Sequence, residues 1–143
     1  MTLVVRRATT DDAPHVAVLS RVLGYPVDPR VMSERLSHLA ARDADAVFVA
    51  VDDDRIVGWI HGGERELLEV GRLCEILGLV VDQSARRVGA GRALVDAVER
   101  WAVSRGVSQV AVRSNVVRLE SHPFYERLGY TRVKTQHSYR KAL

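Results

Sequence analysis

Residues 81–94 carry the sequence VDQSARRVGAGRAL, which decides the fold of this chain. They join an apolar, β-branched run at 76–81 to an amphipathic pattern that begins at Gly89. A strand, a glycine loop and a helix start together favour phosphate binding. Glycine lets the backbone come close, the first-turn amides have no helical partner, and the helix dipole attracts negative charge. The sequence therefore predicts a site for a pyrophosphate-bearing ligand.

Three phosphate-binding motifs compete for this loop. A Walker loop requires Lys and Ser or Thr after its last glycine, but Arg92 and Ala93 follow Gly91 here. A dinucleotide-binding fingerprint requires three glycines early in a βαβ unit, and only two are correctly spaced in the second half of this chain. The third motif, [QR]-x-x-G-x-[GA], is met by Arg86, Gly89 and Gly91. Because the motif is short, an ordinary strand-to-helix turn remains the alternative.

A second motif lies at 121–130, where the sequence is SHPFYERLGY. It predicts a short helix that carries the aromatic pair Phe124 and Tyr125 and ends at a glycine C-cap, Gly129. Plain core packing of the two aromatics is the alternative. With both motifs in this order, the chain resembles the GNAT N-acetyltransferase superfamily over nearly its whole length.

The order of the predicted elements, β-α-α-β-β-β-α-β-α-β, agrees with that resemblance. The resemblance implies an α/β GNAT fold in one domain spanning 1–143. It has one mixed, mostly antiparallel sheet flanked by about four helices, with splayed central parallel strands. The expected strands are 3–6, 46–51, 55–62, 73–81, 107–113, 130–133 and 137–140. The expected helices start near Thr10, cover 29–41, follow Gly89 and cover 120–128.

The length, composition and charge of the chain limit the classes of function that it can have. A chain of 143 residues with 47% hydrophobic residues is long enough for one full core. Neither a membrane span nor a signal-peptide layout is present, so we expect a cytoplasmic protein with no membrane partner. The one cysteine, Cys74, is expected to be buried, and the five histidines lack zinc-ligand spacing, so no metal is expected. A net charge of +3 with dispersed arginines suits an anionic cofactor better than nucleic acid.

The resemblance implies acetyl-CoA as cosubstrate. Backbone amides of the loop would wrap the pyrophosphate, two arginines would add charge, and strand 73–81 would bond pantetheine and polarise the thioester. Gly78 is expected to mark a bulge that opens the gap beside this strand. The cofactor-binding residues expected on this basis are Leu79, Val80, Val81, Arg86, Arg87, Val88, Gly89, Ala90, Gly91, Arg92, Asn115, Ser121 and Phe124.

Two residues are expected to perform direct acetyl transfer. Glu75 is a carboxylate in an otherwise apolar strand, eleven positions before Arg86, which resembles the general base of histone-type members. Burial would raise its pKa toward neutrality. A surface pair with Arg72 or Arg113 is the alternative. Tyr125 resembles the family tyrosine that protonates the CoA thiolate, with plain packing as its alternative.

The acceptor is expected to be a primary amine of a small molecule. The run S-N-V-x-R at 114–118, followed by Glu120 and His122, resembles aminoalkylphosphonate N-acetyltransferases. Tyr25 and His61 fall where this family builds the acceptor pocket. A protein or peptide N-acetyltransferase and a non-catalytic acyl-CoA-binding module are the alternatives. An apolar segment predicts a homodimer; its residues are Leu67, Leu68 and Val70.

Overall fold

The computed structural model describes residues 2–117 and 119–143. They form two compact units, one ending at Val112 and the other covering Arg113–Leu143. No helix in the described part of the chain is long and apolar enough to cross a membrane.

The first unit is built on a five-stranded sheet whose strands lie in chain order. The strands are β1 Leu3–Arg7, β2 Asp45–Asp52, β3 Arg55–Leu67, β4 Gly71–Val81 and β5 Val110–Val112. Neighbours are antiparallel except β4 and β5, which are parallel, so the sheet is mixed and mostly antiparallel as predicted. Asp53 and Asp54 turn the β2–β3 hairpin with φ of 46° and 67°, the left-handed conformation that a two-residue hairpin turn requires.

Helices cover both faces of this sheet. The helices of the first unit are α1 Ala13–Ser20, α2 Pro29–Ala40 and α3 Ala90–Ser104, and short 3-10 helices form at Thr10–Asp12, Arg21–Leu23 and Gln83–Val88. Because side chains alternate along a strand, Val47 and Val49 of β2 pack with α1 and α2, whereas Ala46 and Phe48 pack with Trp101 of α3. Cys74 is buried in this second cluster, as expected.

Helical spacing of the apolar residues predicts that Val22 and Val31 face the core, but both are exposed. Val22 is 61% exposed and Val31 is 38% exposed. The apolar spacing of α1 continues past Ser20, but the chain forms a 3-10 helix there, whose tighter winding rotates Val22 away from the apolar face. Val31 lies in the first turn of α2, while Met32 and Leu36 form its buried face.

The second unit contains α4, Ser121–Arg127. Gly129 ends it with φ of 93°, and Tyr130 N–H donates to the Tyr125 carbonyl at 3.0 Å, so the predicted glycine cap is present.

The strands expected at 130–133 and 137–140 are absent, because residues 130–143 form neither helix nor strand. The expected strand 107–113 is reduced to Val110–Val112. A strand needs a neighbouring backbone, and usually an apolar face, to be stable. The large apolar side chains of the tail, Val133 and Tyr139, are 86% and 91% exposed and supply no such face.

Candidate active site

The glycine loop has the geometry of an anion site. Asp82 caps the 3-10 helix by accepting from Ser84 N–H at 3.1 Å. Gly89 then adopts φ of 83° and α3 begins at Ala90. Ala93 N–H is the first to bond back, to the Gly89 carbonyl at 3.0 Å, so the amides of residues 90–92 have no helical acceptor. Three amides at a helix N-terminus can hydrogen-bond an anion.

Strand β4 has an edge that β5 does not cover. The parallel pairing ends at Ile76 and Val112, yet β4 continues to Val81 with only β3 beside it among the described residues. The β3–β4 register shifts at this point, since His61 pairs with Gly78 and Gly62 with Ile76, which leaves Leu77 as the bulged residue. The backbone beyond the bulge can therefore pair with an extended ligand.

Gly78 is required by its neighbour across the sheet. A Cβ at this position would lie 2.8 Å from the Trp59 ring, which packs over the glycine backbone. The expected bulge in β4 thus lies beside Gly78. The missing side chain at Gly78 also lets the Trp59 ring pack closely against the strand.

Glu75 is buried on the sheet face that also carries His61 and Trp59. It is 6% exposed, and its Oε1 accepts from Nη1 of Arg65 at 2.7 Å. Gly63 pairs with Glu75, which places Arg65 two positions further along β3 on the same face. Arg72, one of the expected partners, instead donates to Glu64 at 3.0 Å. A charged group in an apolar strand is buried here with a cation, as burial requires.

His61 belongs to a second polar cluster on this face. Its Nε2 lies 2.8 Å from Oδ1 of Asp45, and Arg42 binds the other carboxylate oxygen of Asp45 at 2.9 Å. The His61 side chain is 20% exposed and that of Asp45 is 8% exposed. The histidine is therefore accessible while its partner is buried.

Tyr125 lies in the second unit among aromatic neighbours. Its ring packs edge-on against Phe124 at 5.1 Å and against Tyr130 at 5.8 Å. Burial raises the pKa of the Tyr125 phenol above its ordinary value. The phenol is thus protonated at neutral pH and able to donate a proton.

Asn115, from the run at 114–118, and His122 of α4 form hydrogen bonds within this unit. The Asn115 side chain accepts from Val117 N–H at 3.1 Å, which forms a local turn. His122 Nε2 lies 3.0 Å from the Asn115 carbonyl and ties α4 to that turn. Ser121 and Phe124 are half-buried on α4.

The other expected site residues are less constrained. Tyr25, expected in the acceptor pocket, is 64% exposed. Arg86 and Arg92 are exposed beside the loop. Two shallow grooves of about 290 Å³ lie along α3 and contain none of the candidate site residues. Within the described residues, no group of three metal-binding side chains converges.

Sequence patterns missed Arg42, Asp45 and Arg65. Each is a polar residue near a strand end, and nothing local distinguishes it from a solvated surface residue. Arg42 pairs with Asp45 only three residues along the chain, but His61 and Glu75, the partners of Asp45 and Arg65, lie across a hairpin, so the sheet register brings those two pairs together.

Comparison with known proteins shows the family. The Acetyltransferase (GNAT) family profile matches residues 14–130. An aminoglycoside N(6')-acetyltransferase type 1 of Klebsiella aerogenes is 31% identical over 115 residues, covering 78% of this chain and 76% of that protein. A protein of the same description from Serratia marcescens is 29% identical over 127 residues and covers 84% of each chain.

Solved structures agree on the fold. The aminoglycoside N-acetyltransferase AAC(6')-Iy in complex with CoA superposes with a TM-score of 0.88 at 20% identity, covering 99% of this chain and 96% of that one. An aminoglycoside acetyltransferase from an uncultured soil metagenomic sample, in complex with trehalose, has a TM-score of 0.80 at 25% identity, covering 99% and 96%.

The chain belongs to the GNAT acetyltransferase family. It is an N-acetyltransferase that uses acetyl-CoA and transfers the acetyl group to an amine. The narrower resemblance to aminoalkylphosphonate N-acetyltransferases is not confirmed by these relatives.

Proposed function

We propose that this enzyme acetylates an amino group of an aminoglycoside or a closely similar amino sugar. The proposal rests on the identity of 31% to the Klebsiella aerogenes aminoglycoside N(6')-acetyltransferase across 78% of the chain. We also propose that the acceptor is a small molecule and that residues 1–143 form one catalytic domain. We place the activity in the cytoplasm.

Acetyl-CoA is proposed to bind along β4 and the glycine loop. The uncovered β4 edge would pair with pantetheine through the backbone of Leu79 and Val81, and the amide of Val80 or Val81 would polarise the thioester carbonyl. The loop amides at residues 88–92 would hold the pyrophosphate, with charge from Arg86. The side chain of Arg87, also expected here, lies outside the part of the chain that the structure describes. Asn115, Ser121 and Phe124 stay candidate CoA-binding residues on the resemblance alone.

Direct transfer needs a proton acceptor and a proton donor. Glu75 is proposed to take the amine proton, directly or through water, while its ion pair with Arg65 holds the carboxylate in place. The amine nitrogen then bonds the thioester carbon and the C–S bond breaks. Tyr125 is proposed to protonate the departing thiolate, a role supported by its raised pKa.

An acceptor panel tests the substrate class. Purified enzyme with acetyl-CoA is given kanamycin B, spermidine, 2-aminoethylphosphonate and a peptide with a free N-terminus, and released thiol is measured. We expect the highest kcat/KM with kanamycin B and a singly acetylated product by mass spectrometry. Preference for the phosphonate or the peptide would reassign the acceptor. Binding of acetyl-CoA without turnover on any amine would indicate a non-catalytic module.

A further inference from the structure

We infer that His61, held by Asp45, binds a hydroxyl on the sugar ring that carries the reacting amine, and thereby makes the enzyme selective for hydroxylated acceptors. This inference rests on the proposed function, because it names a specificity-determining contact within that substrate class.

The first step is the orientation of the imidazole. Asp45 is bound on one side by Arg42 at 2.9 Å and on the other by His61 at 2.8 Å, so its carboxylate is fixed and almost fully buried. A carboxylate can only accept a hydrogen bond. The Nε2 nitrogen therefore carries the proton of this hydrogen bond, which leaves Nδ1 as the ring nitrogen available to a ligand. His61 thus offers Nδ1 to a ligand from a side chain that is 20% exposed.

The second step is the charge of this face. The carboxylates Asp45 and Glu75 each face an arginine, Arg42 and Arg65 respectively. These two ion pairs reduce the attraction of the face for a cation. Recognition here therefore depends on hydrogen bonds, and a hydroxyl, which can both donate and accept, suits the Nδ1 nitrogen of His61.

The third step is a neighbouring aromatic ring. Trp59 lies two positions from His61 on the same face, and its ring packs over Gly78, which pairs with His61. Its indole Nε1 is buried, so His61 is the polar group that these two residues offer to a ligand. A hydroxyl can accept as well as donate a hydrogen bond, whereas an ammonium group only donates.

The fourth step is distance from the chemistry. His61 pairs with Gly78, two residues before Val80 on β4. Two residues along β4 and one strand spacing across put its Cα about 8 Å from the backbone proposed to hold the thioester carbonyl. An imidazole and one sugar ring together span that separation, so the hydroxyl belongs to the ring that bears the reacting amine.

A matched pair of acceptors tests this inference. Dibekacin differs from kanamycin B only in lacking two hydroxyls of the ring that bears the aminomethyl group. We expect wild-type kcat/KM to be at least about tenfold higher for kanamycin B, because a site built for a hydroxyl is left unpaired by the deoxy analogue. His61→Phe should bring the ratio close to one. Asp45→Asn should reduce it, because the ring loses its fixed orientation.

Two further variants separate recognition from folding. His61→Gln keeps a carbonyl acceptor and an amide that can donate to Asp45, so it should restore part of the preference. His38→Phe alters an exposed histidine of α2 and should leave the ratio unchanged. A merely structural role would lower turnover of both acceptors equally. Equal wild-type use of the two compounds, or an unchanged ratio in His61→Phe, overturns the inference. If the proposed function itself is wrong, the wild-type enzyme will acetylate neither compound, which distinguishes that outcome from a failure of this inference.

Discussion

Tyr125 tests the proton donor without disturbing its surroundings. Tyr125→Phe keeps the ring that packs against Phe124 and Tyr130 but removes the hydroxyl. We expect kcat to fall by about 10- to 10⁴-fold, the usual contribution of a general acid, with little change in acetyl-CoA affinity. Steady-state kinetics and calorimetry measure the two quantities. Full turnover in the variant would assign the tyrosine to packing.

Glu75 tests the proton acceptor, and Arg65 provides its control. Glu75→Gln preserves size and can still accept from Arg65, but it cannot take up the amine proton. We expect kcat/KM to fall most at neutral pH and less as the pH rises, because the free amine then becomes abundant. Arg65→Gln removes the ion pair and keeps the carboxylate, so it should retain more activity. Equal losses in both variants would show that Glu75 acts only as the partner of Arg65.

The proposed pyrophosphate site at the start of α3 can be tested by reversing one charge. Arg92 is exposed in the first turn of α3, and Arg92→Glu places a negative charge beside the amides proposed to hold pyrophosphate. We expect CoA affinity to fall by roughly 10- to 100-fold, because charge reversal replaces attraction with repulsion. The same change favours the helix dipole, so thermal stability should not decrease.

Arg100→Glu is the matched control for this helix. Arg100 is exposed on α3 more than two turns after Arg92, so the same charge reversal lies outside the first turn. Calorimetry should show nearly unchanged CoA affinity. Equal losses in the two variants would indicate a general charge effect and would remove the support for a pyrophosphate site at the helix start.

The junction of β1 and α1 depends on one ion pair. Arg6 of β1 donates two hydrogen bonds to Asp12, both at 2.9 Å, and Asp12 is 4% exposed. Asp12→Asn should lower the free energy of unfolding at neutral pH by about 2 kcal/mol, as measured by urea denaturation. Asp11→Asn changes an exposed neighbour and should stay within about 0.5 kcal/mol of the wild type.

The stabilisation by the Arg6–Asp12 ion pair should be lost in acid. The side-chain hydrogen bonds from Arg6 hold the pKa of Asp12 below its ordinary value. The stabilisation is therefore complete above the unfolded pKa of about 4 and is lost as the pH falls through the lower, folded pKa. The difference between wild type and Asp12→Asn should shrink in that acid range. If the difference in unfolding free energy stays constant as the pH falls, the Arg6–Asp12 ion pair is not the source of the stabilisation.

At the scale of the whole molecule, we propose a homodimer that covers the tip of the β3–β4 hairpin. Leu67, Leu68 and Val70 are grouped there, with Leu68 fully exposed and Val70 51% exposed. Grouped apolar side chains are typical of protein contacts, whereas single ones are not. Light scattering at micromolar concentration should give twice the chain mass. Leu68→Lys should shift the measured mass toward that of one chain. Val103→Lys, at an isolated exposed site on α3, should leave the measured mass unchanged. A monomeric wild type would exclude the dimer.

Several features could be predicted from the sequence because they depend on neighbouring residues. The left-handed φ at Gly89, the start of α3, the cap at Gly129 and the β2–β3 hairpin follow from local glycines, helical spacing and turn residues. The burial of Glu75 likewise follows from its position inside an apolar strand. Local sterics and periodicity decide such features before any long-range contact forms.

The tertiary structure alone decided which polar groups meet. Arg65 rather than Arg72 binds Glu75, and Asp45 binds His61, because hairpin register and the alternation of side chains bring these residues to one face of the sheet. The tail was expected to form strands, but residues 130–143 form none, and the apolar side chains Val133 and Tyr139 are exposed. Motif and pattern thus determined the family, the loop and the helices. Pairing energies between distant strands, which no local pattern encodes, determined the polar clusters of the site.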